Sequence, residues 1–233
     1  MIRLHVVAEG RTEQKFVQEI LAPHLGHFGV FADARCVETS RDQGASRIYR
    51  GGLVNYAKAK RDINLWIKED GKSECVFTTM FDFYALPDNF PDFQQAKSQS
   101  DPYARVKILE SAFKRDIVSE NGQIRFIPYI QLHEFEALIF ANLDDLPYEY
   151  PNCETKIKEL RQTVAGKNPE LIDDGVETAP SKRLLAKIPE YNKVMSGVNI
   201  VQAIGLEKLK SRCAHFCQWL KILEELNGEA ITR

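Results

Sequence analysis

The chain has 233 residues, of which 44% are hydrophobic and 27% charged. This composition excludes a disordered protein and suits one large domain, or one domain with an extension. The formal net charge of −2 excludes a uniformly basic protein that coats nucleic acid. No membrane association is expected, because the apolar runs are too short for a spanning helix and the N-terminus lacks a secretory pattern. The five cysteines are odd in number and scattered, which is typical of reduced thiols and predicts a cytoplasmic protein.

Strands alternate with helices through the first part of the chain. Apolar, β-branched runs predict strands at residues 3–8, 30–38, 75–81 and 124–130, and helical periodicity falls at about 12–23, 53–70 and 103–118. Pro128 lies within the fourth run, which places that strand at an edge or at a bulge. The alternation predicts an α/β fold with a mainly parallel four-stranded sheet flanked by helices.

The pattern changes after Pro147. Residues 148–233 have helical periodicity interrupted by loops and contain no convincing strand. We therefore expect an α/β domain at residues 1–147 and an α-helical C-terminal extension at 148–233, packed on that domain.

Acidic side chains follow three of the predicted strands. Glu9 comes after the first, Asp82 after the third, and His133, Glu134 and Glu136 after the fourth. The carboxyl ends of parallel strands meet at one edge of a sheet, where ligands bind. Carboxylate oxygens are the ligands that Mg²⁺ and Mn²⁺ prefer, and such metals activate water in phosphoryl chemistry.

Each of these acids also has a structural interpretation. Glu9 suits the first turn of a helix, where the dipole favours negative charge, and Asp82 suits the following turn. Glu134 and Glu136 share a face if their segment is extended, but diverge by about 200° if it is helical. The sequence leaves these alternatives open.

Basic residues cluster locally despite the negative net charge. Residues 35–61 contain seven Lys or Arg against two Asp or Glu, which indicates either a solvated helix face or a phosphate-binding stretch. The segment "ETAPSKRL" places Glu177, Lys182 and Arg183 beside a proline turn. Lys182 or Arg183 there suits a phosphate, whereas Ser181 suits a helix cap.

Several of these segments resemble a known family. "VVAEGRTEQKF" and "TTMFDFYALP" resemble the TOPRIM domain of topoisomerases, primases and overcoming-lysogenization-defect-type nucleases, which has a glutamate after its first strand and Asp-x-Asp after its third. With "HEFEALIF", "APSKRL" and "CAHFCQWL", nearly the whole chain resembles a bacterial TOPRIM-like family of uncharacterised function. Its members are encoded beside AAA- or ABC-type ATPases, in loci associated with phage defence.

The resemblance implies a function and a set of site residues. Glu9 matches the family glutamate and Asp82 the first aspartate, while Tyr84 replaces the second. The implied activity is Mg²⁺- or Mn²⁺-dependent phosphodiester hydrolysis of DNA or RNA, as the effector of an ATPase-coupled defence system. The expected catalytic residues are Glu9, Asp82, Glu134, Glu136 and Lys182; the expected metal ligands are Glu9, Asp82 and Glu134; and the expected phosphate-binding residues are Arg11, Arg41, Arg47, Arg50 and Arg183.

The departure at Tyr84 supports a second hypothesis. Loss of one carboxylate weakens the metal site, unless Glu134 or Glu136 supplies the missing ligand. Without it, the chain is a catalytically degenerate binding or regulatory subunit of an ATPase partner. Both hypotheses are compatible with a homo-oligomer.

Overall fold

The computed structural model describes residues 1–42, 47–50, 53, 55–144, 146–172 and 178–228; the side chains of 38–42, 47–50 and 147 lie outside this description. These residues form two compact units, one made of residues 1–131 together with the chain from Lys221, and the other of residues 132–220. The sequence predicts a boundary near Pro147, whereas the compact units divide after Gln131.

The first unit contains a parallel sheet. Its strands are β1 (Ile2–Ala8), β2 (Val30–Cys36), β5 (Cys75–Asp82), β6 (Arg125–Ile127) and β7 (Ile130–Gln131). They lie in the order β2-β1-β5-β6. β7 also pairs with β5, at residues 81–82, whereas β6 pairs with it at residues 76–78. All four pairings are parallel, which confirms the predicted α/β fold. After β2, β3 (Glu38–Asp42) and β4 (Arg47–Arg50) form a separate antiparallel pair that the sequence did not predict.

The helices of the first unit connect these strands. They are α1 (Arg11–Phe16), a π-helical turn at Val17–Leu21, α2 (Ala22–Gly26), α3 (Tyr56–Asp70), α4 (Phe93–Lys97) and α5 (Pro102–Asn121). A 3₁₀ turn at Phe83–Ala85 follows β5 directly. Every residue of β5 is buried, because this strand lies between β1 and its other neighbours in the sheet. This explains why its sequence is a continuous apolar run rather than an alternating one.

The predicted fourth strand is two short strands. Pro128 has no N–H to give to a ladder, so β6 ends at Ile127 and β7 begins at Ile130. The Thr79 hydroxyl bridges the gap: it accepts a hydrogen bond from Tyr129 N at 3.0 Å and donates one to Tyr129 O at 3.0 Å. A side chain of β5 therefore replaces the missing backbone pairing.

The end of the chain returns to the first unit. His24 Nε2 lies 2.7 Å from Glu224 Oε1 in α11 (Ala214–Glu225). Gly29 has φ 70°, and a Cβ there would approach Asn227 Nδ2 to 2.7 Å. Glycine is needed at this turn both for its backbone conformation and for its lack of a side chain.

The second unit is helical in the residues described. It contains a 3₁₀ segment at Phe135–Ala141, α6 (Leu146–Glu149), α7 (Glu154–Val164), α8 (Pro180–Lys187), a π-helical turn at Lys193–Gly197, α9 (Val198–Ile204), α10 (Leu206–Arg212) and most of α11. This agrees with the helical C-terminal region expected from the sequence. Of the helices in the described ranges, none combines the length and the apolar character needed to cross a membrane.

A charged network joins α3 to α5. Lys60 Nζ lies 2.8 Å from Asp116 Oδ2 and 2.6 Å from Glu120 Oε1. The buried Tyr56 hydroxyl donates a hydrogen bond to Asp116. Burial alone raises the pKa of Asp116, but the hydrogen bonds from Lys60 and Tyr56 outweigh it and lower the pKa below its usual value. The folded state therefore favours the ionised carboxylate.

We predict that Asp116→Asn lowers the free energy of unfolding at pH 7 by about 1–3 kcal/mol, because a charged acceptor is lost. Asp116 has a lower pKa when folded, so its stabilisation is present above the usual aspartate pKa and is lost as the pH falls through the folded value. In urea unfolding, the free energy of unfolding should therefore change less between pH 7 and pH 3 for the variant than for the parent. The exposed Asp88 supplies the control, Asp88→Asn, and an equal effect of both substitutions would contradict the assignment.

Candidate functional site

Two predicted acids lie side by side at the carboxyl edge of the sheet. Glu9 follows β1, Asp82 ends β5, and these neighbouring strands place Ala8 opposite Met80. Glu9 Oε2 accepts a hydrogen bond from Asp82 N at 2.8 Å, and Glu9 N donates to Met80 O at 3.0 Å. Glu9 is 9% exposed and Asp82 is 4% exposed. The parallel pairing thus brings the Glu9 carboxylate to the backbone of Asp82, and both acids are largely buried.

Gln131 joins this edge and was missed in the sequence. It ends β7 as the register partner of Asp82, and it is fully buried. Its Oε1 accepts a hydrogen bond from the Tyr129 hydroxyl at 2.6 Å, which fixes the amide orientation. Its position at the end of the fourth strand was the available signal. It was not predicted because acidic side chains, and not amides, were considered at the strand ends.

The helix α1 begins directly after Glu9 and Gly10. Gly10 precedes the helix, and its N–H donates to Glu13 Oε2 at 2.9 Å. The Glu13 carboxylate thus pairs with the backbone amide that directly follows Glu9. Arg11, the first residue of α1, is exposed to solvent two positions from Glu9. A cationic side chain is therefore available close to the carboxylates along the chain.

Tyr84 lies in the 3₁₀ turn that follows Asp82, with its side chain 40% exposed. Its ring centroid is 6.0 Å from that of Phe83. At the position where the TOPRIM pattern has its second aspartate, the protein therefore presents an aromatic surface.

In the second unit, Glu134 binds the start of α8. Its Oε2 accepts a hydrogen bond from Ser181 N at 2.9 Å, one of the amides that a helix leaves unpaired at its first turn. The residue preceding the helix is Ala179, and Pro180 opens it. Ser181 therefore lies inside the helix and does not cap it, and the Glu134 carboxylate performs this role.

Glu136 is fully buried in the 3₁₀ segment. Lys193 Nζ lies 3.1 Å from its Oε2, and the Tyr191 hydroxyl donates to its Oε1 at 3.4 Å. Burial, together with the charge of Glu136, raises the pKa of Tyr191 and keeps its hydroxyl protonated. Because Glu134 is extended and Glu136 is within the 3₁₀ turn, the two carboxylates bind different partners.

His133 has a strained backbone beside these acids. It is buried and has φ 65°, in the left-handed region that non-glycine residues seldom adopt. Such strain persists only where the surrounding structure imposes it. The tight turn at His133 connects the strand region to the 3₁₀ segment that contains Glu136.

The predicted cationic residues are distributed over both units. Lys182 is exposed on α8, whereas Arg183 is half-buried and its Nε donates to Thr178 O at 2.6 Å. The backbones of Arg41, Arg47 and Arg50 belong to the β3–β4 pair, but their side chains lie outside the described residues, as does Glu177. The first unit therefore brings together Glu9 and Asp82, while Glu134, Glu136, Lys182 and Arg183 belong to the second.

These features define an α/β protein with a carboxylate pair at the carboxyl edge of a parallel sheet. The chain belongs to the family described as Domain of unknown function (DUF4276), whose family model matches residues 8–224. No curated protein and no solved structure matches the chain. The TOPRIM-like relationship and the genomic context that it implies therefore remain predictions.

We predict that Lys193→Met lowers the free energy of unfolding by about 1–3 kcal/mol, because it removes the cation that faces a buried carboxylate. Lys187→Met is the matched control, since Lys187 pairs with Glu159 at 2.7 Å on the surface, where ion pairs contribute little. Denaturant unfolding of both variants measures the difference. Equal losses of stability would show that the Lys193–Glu136 pair stabilises the protein no more than a surface ion pair does.

Proposed function

We propose that the protein is a metal-dependent phosphodiesterase that hydrolyses DNA or RNA, with Glu9 and Asp82 as the metal ligands. The observation that carries the proposal is their pairing at the carboxyl ends of adjacent parallel strands, linked by the bond from Asp82 N to Glu9 Oε2. Ligand sites occur at this edge of parallel sheets.

The donor chemistry fits a hard divalent cation. Glu9 and Asp82 offer carboxylate oxygens, and Gln131 is an amide on the adjoining strand. An all-oxygen donor set suits Mg²⁺ or Mn²⁺, which bind proteins through one or two carboxylates and take further oxygens from water or phosphate. When bound, such an ion supplies activation of water and stabilisation of the leaving oxygen.

Other residues of the first unit suit the binding of a nucleic acid strand. Arg11 is exposed close to Glu9 along the chain and carries the charge that phosphate contacts require. Tyr84 offers an exposed ring for stacking on a base, immediately after the Asp82 ligand. In this proposal, Tyr84 replaces a carboxylate of the TOPRIM pattern by a substrate contact.

The two acids of the second unit have structural roles. Glu134 caps α8 and Glu136 pairs with Lys193, so both acids have stabilising roles that account for their presence. Lys182 is exposed and suits a phosphate contact. Their predicted catalytic roles therefore rest on the family resemblance, as do the ATPase partner and the role in phage defence.

A second candidate function follows from the carboxylate pair itself. Glu9 uses one oxygen to hold Asp82 N, and Tyr84 stands where a third acid is expected. A pair engaged in this way also suits a non-catalytic module that binds and regulates an ATPase. The two candidates differ in whether the pair binds a metal.

The first test is metal binding and cleavage together. Mn²⁺ titration by calorimetry, and cleavage of plasmid, linear DNA and tRNA in Mg²⁺ or Mn²⁺, would compare the parent with Glu9→Gln and Asp82→Asn. We expect each substitution to abolish Mn²⁺ binding and to reduce cleavage by about hundredfold or more, since ligands to the developing charge are lost. The exposed Glu19 supplies the control substitution, Glu19→Gln, which should change neither.

The outcomes separate the two candidates. Cleavage lost in both site variants supports the phosphodiesterase. Absence of both Mn²⁺ binding and cleavage in the parent, with and without the neighbouring ATPase, overturns it and favours the regulatory subunit. Tyr84→Asp adds a second test, because it restores the missing carboxylate: cleavage that appears only in this variant would show that the natural chain is degenerate.

A further inference from the structure

We propose that His5, Asp70 and Cys75 form a zinc-binding site, separate from the carboxylate pair of Glu9 and Asp82. The three side chains each offer one ligand atom, and these atoms all lie within 4.8 Å of one another. Among the described residues, this is the cluster of three His, Cys, Asp or Glu side chains that is close enough to share a metal ion.

Three elements supply the ligands. His5 is in the middle of β1, Asp70 is the last residue of α3, and Cys75 is the first residue of β5. β1 and β5 are paired neighbours, with Arg3 opposite Cys75 and His5 opposite Phe77. Along the same two strands, Glu9 lies four residues beyond His5 and Asp82 seven beyond Cys75, so the two sites share no residue.

Two of the three ligands are shielded from water. His5 is 7% exposed and Cys75 is 1% exposed. The His5 ring packs against Trp66 and Phe77, with centroids 4.6 Å and 4.9 Å away. His5 Nδ1 is buried and makes no hydrogen bond within the part of the chain that the structure describes. Nε2 faces Asp70 and is therefore the ligand atom assigned here, while Nδ1 is the second nitrogen of the buried ring.

The donor set selects the metal. One imidazole nitrogen, one carboxylate oxygen and one sulfur are the ligand types of zinc, whereas Mg²⁺ and Mn²⁺ favour oxygen alone. His5 Nε2 and Asp70 Oδ2 form a hydrogen bond at 3.0 Å, a separation close to the value of about 3.3 Å between two ligands of a tetrahedral zinc ion. The metal would replace the proton between them. Three protein ligands leave the fourth position to water.

Arg3 is a competing cation beside the proposed ligands. Its Nη1 lies 2.7 Å from Asp70 Oδ2, and its Nη2 lies 3.2 Å from Glu74 Oε1. Asp70 needs a cation, since it stands at the negative end of the α3 dipole. Zinc displaces Arg3 from Asp70, and the existing bond to Glu74 retains the guanidinium nearby. Arg3 is therefore a competitor whose removal should strengthen metal binding.

The experiment uses Co²⁺ as a spectroscopic probe for zinc, with the full chain. Coordination by a thiolate gives a charge-transfer absorption that oxygen and nitrogen ligands do not give. We expect this band in the parent and in Glu9→Gln/Asp82→Asn, and we expect Zn²⁺ to abolish it by competition. Cys75→Ser should remove the band, whereas Cys217→Ser, which changes a half-buried cysteine elsewhere, should leave it unchanged.

Two further variants keep the test decisive if Cys75→Ser does not fold. Asp70→Asn removes a ligand at a partly exposed position and should weaken Zn²⁺ binding. Arg3→Met keeps all three ligands and should tighten Zn²⁺ binding by about tenfold or more, because a neighbouring positive charge is removed. Absence of the band in the parent, its persistence in Cys75→Ser, or unchanged affinity in both further variants would overturn the site. Failure of Mn²⁺ binding at Glu9 would not affect it.

Discussion

The parallel pairing of β1 with β5 is the constraint on which both candidate sites depend. One register places Ala8 opposite Met80 at the carboxyl end and Arg3 opposite Cys75 at the amino end. The first pairing brings Glu9 to Asp82, and the second brings Arg3 and His5 to Cys75. A shift of one residue would turn every side chain of β1 to the opposite face and separate both groups. The burial of β1 and β5 fixes this register, because the apolar side chains on both faces of the strands would pack less well in a shifted alignment.

The two ends of this pairing have different chemistry. The carboxyl end holds oxygen donors alone, beside an exposed arginine and an exposed tyrosine. The amino end holds nitrogen, oxygen and sulfur within a ring-lined, water-poor environment. Ligand preference, rather than ion size, would therefore direct Mg²⁺ or Mn²⁺ to the carboxyl end and zinc to the amino end. The same pair of strands thus positions two groups of potential ligands with different chemistry.

Much of the sheet was predictable, for reasons that particular residues make clear. β5 was recognised because β-branched and aromatic residues fill it from Cys75 to Phe81, and both faces of the strand are buried. The break at Pro128 was recognised as an irregularity, but not as two strands bridged by Thr79, because a hydroxyl that replaces backbone pairing leaves no periodic signal. The β3–β4 pair was missed since its basic, polar sequence is typical of a loop.

The candidate site was predictable in part. Glu9 and Asp82 were found because an acid after an apolar strand is conspicuous, and the parallel fold then places them together. Glu134 and Glu136 could not be oriented, since the left-handed turn at His133 and the 3₁₀ segment have no clear sequence signature. The cluster of His5, Asp70 and Cys75 combines a strand interior, a helix end and a strand start, and their proximity depends on tertiary packing alone.

The return of the chain end to the first unit has a consequence for synthesis on the ribosome. His24 and Glu224 are 200 positions apart, and Asn227 packs against the turn at Gly29. The sheet can form once β7 has emerged, but the surface of α2 stays uncovered until α11 is made. A nascent chain therefore carries an incomplete N-terminal unit through the synthesis of the entire second unit.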